Sequence, residues 1–241
     1  MAGTTRIDRI LEDSFVHEEV FALRPDYRAM LVVIEGIAPA AGDAESEALL
    51  VRAEEHARRV AAAGPIEDEP HIASWREAYR AFGAKPQRTR NSLEALTRRA
   101  ADALPRVNRL TDVYNAVSVL HGLPLGGEDL DRYVGAPRLV RATGTEPFDT
   151  VAGGDPVVEH PDPGEVVWCD AEGVTCRRWN WRQGRRTRLT DGTRTALFIL
   201  DALAPTTDAE LEAAADALVG HLGAGATVAR RLLAGPDSAL G

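Results

Sequence analysis

The chain has 241 residues, 44% of them hydrophobic, enough for one sizeable core and near the upper end for one domain. No apolar run approaches the ~20 residues needed to cross a bilayer, and residues 1–13 lack the apolar stretch of a signal peptide, so a cytoplasmic protein with no membrane partner is expected. A net charge of −9 excludes a protein that coats nucleic acid nonspecifically; no DNA partner is expected, and any RNA contact must be local.

Residues 14–36 alternate apolar and polar side chains around the turn-like Arg24-Pro25-Asp26, which predicts a pair of strands. Leu49, Leu50, Ala53, Ala57 and Val60 predict an amphipathic helix over 44–63, stopped by Gly64-Pro65. The acidic residues 66–70 read as a linker, so 1–70 is expected to be an N-terminal strand and helix lobe packed on a main domain at 71–235. Helical spacing of Trp75, Ala78, Tyr79 and Phe82 predicts a helix over 73–82 ended by Gly83. Further helices are predicted from Ser92 to about Leu104, with Asn91 or Ser92 as N-cap, and over 110–121.

After Asp131 the pattern changes to short β segments at 138–142, 165–170, 174–178 and 196–203, with turns at 152–156 and 161–164. The last helix is predicted over 208–222, and the tail from Gly235 is expected to be loose. Strands with segregated helices predict an α+β fold, a mixed sheet with flanking helices. Cys169 and Cys176 flank a hairpin whose Glu172-Gly173 tip would set them opposite each other, as two small buried residues. Neither a zinc site nor any cofactor is expected.

Two stretches ask for more than packing. Asp112-Val113-Tyr114-Asn115 is an apolar helical pattern with an internal Asp and Asn, and it leads into Leu123-Pro124-Leu125-Gly126-Gly127-Glu128-Asp129-Leu130-Asp131, a turn and an acidic loop. With Val140-Arg141, Glu146, the hairpin at 166–176 and the entry to a strand at 193–197, residues 74–204 resemble the tRNA-editing (B3/B4) domain of the phenylalanyl-tRNA synthetase β subunit. The resemblance implies that domain's fold. It also implies a second sieve, in which a wrong amino acid on the tRNA end is removed by ester hydrolysis, supplying discrimination that a single apolar pocket lacks. Such chemistry needs a positioned water and donors for an oxyanion, and no covalent nucleophile. The chain departs from the family where a His follows the Pro of the Leu-Pro turn, a position that falls here on Gly126. A Gly-rich stretch is replaced by residues 177–182, and a pocket Glu has only Asp201 near its place. These departures bring the chain closer to freestanding members of the family, and its substrate need not be tyrosyl-tRNA.

For the site itself, Glu146 is the first choice as substrate-amine partner or water orienter, and Gly126 and Gly127 either present backbone N–H groups to an oxyanion or form a tight turn. Asn115 either holds a substrate amine or braces the next loop, and Asp129 contacts substrate or stitches the loop. If residues 177–182 are a strand, Arg177, Trp179 and Trp181 share one face and Arg178, Asn180 and Arg182 the other; the two Trp rings either stack a terminal adenine or fill the core, with Asn180 in a polar pocket wall. Arg182, Arg185, Arg186 and Arg188 form the expected RNA face. The leading reading is a freestanding hydrolase that deacylates mischarged aminoacyl-tRNA in trans by water attack, its partner being the 3′ end of aminoacyl-tRNA. The alternatives are a noncatalytic module that binds a free amino acid or a tRNA end, and an enzyme acting on a small ester or amide.

Overall fold

The computed structural model describes residues 5–38 and 40–235; the tail expected to be loose lies, beyond Gly235, outside the described residues. The elements in chain order are α1 (Arg6–Asp13), β1 (Phe15–Val16), α2 (Glu18–Leu23), β2 (Arg28–Glu35), α3 (Ala44–Ala63), α4 (Pro70–Ala81), α5 (Ser92–Ala100), α6 (Arg109–His121), β3 (Leu125–Asp129), β4 (Arg138–Arg141), β5 (Phe148–Ala152), β6 (Asp155–Glu159), β7 (Val166–Cys169), β8 (Val174–Arg177), β9 (Arg182–Gln183), β10 (Thr195–Ala202), α7 (Asp208–Leu222) and β11 (Thr227–Ala234). The fold is α+β. An antiparallel sheet runs in the order β11-β2-β10-β3, a mixed sheet in the order β1-β4-β7-β8-β9 with β1 parallel to β4, and β5 and β6 form a separate hairpin. Among the described residues no helix is long and apolar enough to cross a membrane.

Burial on both faces of β2 and β10 decides the layering. Alternate residues of a strand point to opposite faces, and here both sets are apolar. Met30, Val32, Ile34, Ala196, Phe198 and Leu200 pack with Leu49 and Leu50 of α3, Val113 and Val117 of α6, and Leu211 and Leu218 of α7. The other set, Ala29, Leu31, Val33, Leu197 and Ile199, packs with Trp75, Leu139, Val166, Trp168 and Trp179. The antiparallel sheet is therefore the middle layer, with α3, α6 and α7 on one side and the mixed sheet together with α4 on the other. Residues before Pro70 supply α3 and the inner strand β2, which pairs along its full length with β10 and with β11.

Helix ends follow their capping residues. Asp43 and Thr207 close reciprocal capping boxes on α3 and α7, and Asn91 and Asn108 accept from the third helical residue's N–H at the starts of α5 and α6.

Four expectations need correction. Only β2 of the strand pair expected in 14–36 is a full strand, because His17 caps a helical turn at α2 with Glu18 and Glu19 favourably placed at its N-terminus. Residues 125–129, read as a turn and acidic loop, are strand β3, since β10 offers a paired edge along residues 125–129. Residues 177–182 are not one strand. β8 ends at Arg177, and Arg178 and Trp179 take φ of 46° and 67° before β9 begins. Finally, a register shift between Trp168 and Cys169 sets Cys176 opposite Trp168 and Val174 opposite Cys169, so the two buried thiols do not face each other.

Candidate functional site

The middle sheet and the mixed sheet leave a cavity of about 280 Å³ between them. Antiparallel register places Glu128 opposite Leu197 and Gly126 opposite Ile199, so Gly126, Glu128, Ile199 and Asp201 point to the same side and form one wall. Trp168 and Cys176 form the facing wall, residues 179–183 close one end, and Ser92, Leu96 and Arg99 of α5 with Tyr114 and Asn115 of α6 line the remainder. Pockets for drug-sized ligands occupy roughly 300–1,000 Å³; this one matches a smaller group, on the scale of a single amino acid. Gly126 helps leave that room, because a Cβ there would lie 2.9 Å from Gln183 Nε2.

Two acids in this wall are buried without an ion pair. Asp201, 3% exposed, accepts from the Tyr27 hydroxyl at 2.5 Å and from Asn180 Nδ2 at 3.2 Å, while Asn180 Oδ1 accepts from the Tyr79 hydroxyl at 2.9 Å. Burial pushes its carboxyl up to about 7, against the opposing pull of the Tyr27 and Asn180 hydrogen bonds. Glu128, 1% exposed, accepts from the Tyr133 hydroxyl. Burial raises it to about 7 as well, opposed by hydrogen bonding to Tyr133 and Thr175. Carboxyls poised there exchange protons at neutral pH, the property required of a general acid or base.

Three unused donors belong to residues that line the cavity. Ser92 Oγ and the indole nitrogens of Trp168 and Trp179 are buried without a hydrogen-bond partner. Trp168 Nε1 is close enough to Asp201 to help hold its charge, yet makes no bond of normal geometry. Trp179 is placed by the tight turn at Arg178, a conformation that costs about 1–2 kcal/mol for each L-residue held in it. The turn is held by Trp179 N donating to Val166 O at 2.6 Å and Trp181 N to Arg177 O at 3.1 Å. It sends the Trp179 ring into the core against Tyr27 and Trp75, with centroids 4.9 and 5.3 Å away, and returns Asn180 to the cavity.

Of the residues singled out in the sequence, Asn115, Gly126, Trp179, Asn180, Trp181 and Arg182 come together around the cavity. Gly127 faces the helical side, where a Cβ would meet Leu189 at 2.8 Å and Phe198 at 2.9 Å, and its carbonyl accepts from Gln183 Nε2 at 3.1 Å. Asp129 accepts from Thr193 Oγ1 at 2.8 Å and Asp131 N at 3.1 Å, stitching the loop after β3. Arg177 donates to both Glu165 oxygens at 2.9 and 2.7 Å and to Glu159 at 3.0 Å. Arg185 pairs with Asp149 and Arg186 with Asp170, while Arg188 is exposed across a backbone bridge from Glu128.

Glu146 lies away from the cavity, in a depression it shares with Arg138 and Cys169. Its carboxylate closes a turn by accepting from the N–H groups of Thr143, Gly144 and Thr145 at 2.8, 3.0 and 3.1 Å. Burial raises its pKa, but these hydrogen bonds outweigh it and the net shift is downward. Sequence reasoning did not select Glu128, Trp168 or the tyrosines at 27, 79 and 133. The available signal for Glu128 was its place two residues after Gly126 on an alternating strand, hidden by the glycine pair.

A family model described as the B3/4 domain matches residues 74–218. No curated protein matches the chain. Among solved structures, an N-terminal fragment of the phenylalanyl-tRNA synthetase β-subunit from Pyrococcus horikoshii is similar at 13% identity and a TM-score of 0.45, over 89% of this chain and 49% of that one. The chain thus spans about half the length of that fragment.

Proposed function

The chain belongs to the B3/4 domain family, and from that membership we propose that it hydrolyses aminoacyl esters, deacylating mischarged aminoacyl-tRNA. The observation that carries this reading is the pair of buried carboxyls, each near neutrality, on one wall of a cavity sized for an amino acid. The amino acid of the ester occupies the cavity, and its ammonium group pairs with Asp201, an acceptor otherwise met only by neutral donors. The indole N–H of Trp168 is left to donate to the ester carbonyl. Glu128, rather than the Glu146 expected from the sequence as substrate-amine partner or water orienter, holds the water and acts as its base. Water adds to the carbonyl carbon and gives its proton to the Glu128 carboxylate. The ester C–O bond then breaks, and that proton passes to the departing ribose oxygen, yielding free amino acid and uncharged tRNA.

Deacylation of a panel of correctly and incorrectly charged tRNAs, with Glu128→Gln and Asp201→Asn beside the wild type, tests the reading. Hydrolysis of one mischarged species, reduced roughly 10²–10⁴-fold in kcat by Glu128→Gln and weakened in KM by Asp201→Asn, supports it. Failure to hydrolyse any species, together with tight binding of a free amino acid, would replace it with the noncatalytic binding module.

A further inference from the structure

Between Arg80 and Arg99 the chain carries six basic residues and one acid, Glu94, although the whole protein has a net charge of −9. Glu94 is met by Arg76 and Arg98, with Arg90 at 3.5 Å. Arg80, Lys85, Arg88 and Arg99 are all exposed, and none has a carboxylate partner among the described residues. The opposite holds along 177–186, where Arg177, Arg185 and Arg186 are already engaged by Glu165, Asp149 and Asp170. A phosphate is bound best by a cation that has no other anion to leave.

Lys85 and Arg88 border a groove of about 340 Å³ that Thr89 and Arg178 also line. Its two acids are Glu165, occupied by Arg177, and Asp162, 3.8 Å from Arg178. The groove is built rather than loose: Arg88 N and Thr89 N both donate to Lys85 O at 2.9 Å, and Arg178 Nη1 donates to Thr89 Oγ1 at 2.5 Å. Arg178 also connects it to the cavity, since its guanidinium lies 4.6 Å from the ring centre of Trp181, a cavity residue. Arg99 lines the cavity itself from α5.

We propose that this groove holds phosphate groups of the RNA strand whose aminoacylated end enters the cavity, with Arg99 guiding the strand at the entrance. The choice of RNA rests on the proposed hydrolase function, while the anion site rests on the uncommitted cations alone. The test compares aminoacyl-tRNA with aminoacyl-adenosine, which has the same ester and no phosphate, in wild type and in Lys85→Ala/Arg88→Ala. The double variant should raise KM for aminoacyl-tRNA about tenfold and flatten the dependence of log affinity on log salt by about 0.7 per lost contact. Turnover of aminoacyl-adenosine should hold. Lys85→Arg/Arg88→Lys should retain affinity, which separates charge from local folding, and Arg52→Ala/Arg59→Ala on α3, removing equal charge, should not reproduce the loss.

Equal losses on both substrates, or an unchanged KM and salt slope for aminoacyl-tRNA, would overturn the proposal. So would an effect found in Arg185→Ala/Arg188→Ala and absent from the Lys85/Arg88 variant. If the wild type hydrolyses neither substrate, the hydrolase reading fails by itself. Binding of uncharged tRNA then decides the groove: a tenfold, salt-sensitive loss in the double variant sustains it, and no loss overturns it.

Discussion

Five of the buried acids among the described residues fall into two contrasting groups. Glu94, Glu165 and Asp170, set around the rim of the fold, each meet a guanidinium: Arg76 and Arg98 for Glu94, Arg177 in two-point contact for Glu165, and Arg186 for Asp170. Glu128 and Asp201 in the cavity are just as buried, but they are met only by neutral donors, hydroxyls, an amide and an indole. An arginine partner compensates the cost of burying a charge, whereas neutral donors compensate it only in part and leave the carboxyl near its titration point. Burial alone thus does not mark a working acid, and neither does the lack of a cation, since Asp129 is buried without an arginine partner among the described residues and stitches a loop; Glu128 and Asp201 add a place on the cavity wall.

Breaking the first group should have the largest effect. Glu165→Ala leaves the Arg177 guanidinium in a buried site with only the more exposed Glu159, and should cost about 3–5 kcal/mol, read as a fall in urea midpoint at constant m-value. An unchanged midpoint would mean that Glu165 is not holding this corner of the mixed sheet.

The second group should behave in the opposite way. Because folding raises Glu128 from an ordinary carboxyl pKa of about 4.3 to about 7, its contribution to stability is complete below the unfolded value and is lost as pH rises through 7. Glu128→Gln should therefore lose activity yet become progressively more stable relative to wild type between pH 5 and pH 8, by an amount of order 2 kcal/mol. Thermal melts of both proteins across that range check the sign. In the same reading, kcat for deacylation should rise with pH up to about 7 and then level as Glu128 loses its proton.

A smaller effect belongs to His71. Its Nε2 accepts from Trp75 Nε1 at 3.0 Å and Leu203 N at 3.1 Å, so the ring is neutral with its proton on Nδ1, 2.7 Å from Gly122 O. Burial lowers its pKa, chiefly by disfavouring the charged ring. The unfolded chain then takes up the proton first, and stability should decline as pH falls below about 6.5. Measuring this in Glu128→Gln/Asp201→Asn removes the opposing carboxyls; a flat profile there would show that His71 does not couple to folding. Smallest of all, Arg185→Ala breaks an exposed pair with Asp149 and should move stability by no more than about 0.5 kcal/mol.

Much of the helical layer was legible because its signals are local. The apolar spacing over 44–63 and 208–222 predicts α3 and α7 to the residue, and the structure adds Asp43 and Thr207 as their caps. The hairpin of β7 and β8 was legible too, but not its register, since the shift at Trp168 depends on how the pair packs and not on its turn residues. β3 was missed because Gly126-Gly127 reads as a turn; only the neighbouring Phe198, Leu189 and Gln183 reveal a strand with no room for side chains. β11 carries adjacent Arg230 and Arg231 and has no alternating pattern to announce it; pairing with β2 makes it a strand.

The site divides along the same line. Asn115, Asn180 and Trp181 were recognisable as polar or aromatic residues out of place in an ordinary core, and they do line the cavity. Their chemistry was not recognisable, and neither were the acids that matter most. By itself the sequence determined the helix and strand inventory where periodicity and caps are local, the α+β class, and the stretch from which the cavity residues come. Tertiary structure alone decided which acids receive a cation and which do not, because that depends on chain segments far apart: Tyr27 reaches Asp201 across 174 residues. A protonation state is set by solvent exclusion and neighbouring dipoles in space, and neither is written in the order of residues along the chain.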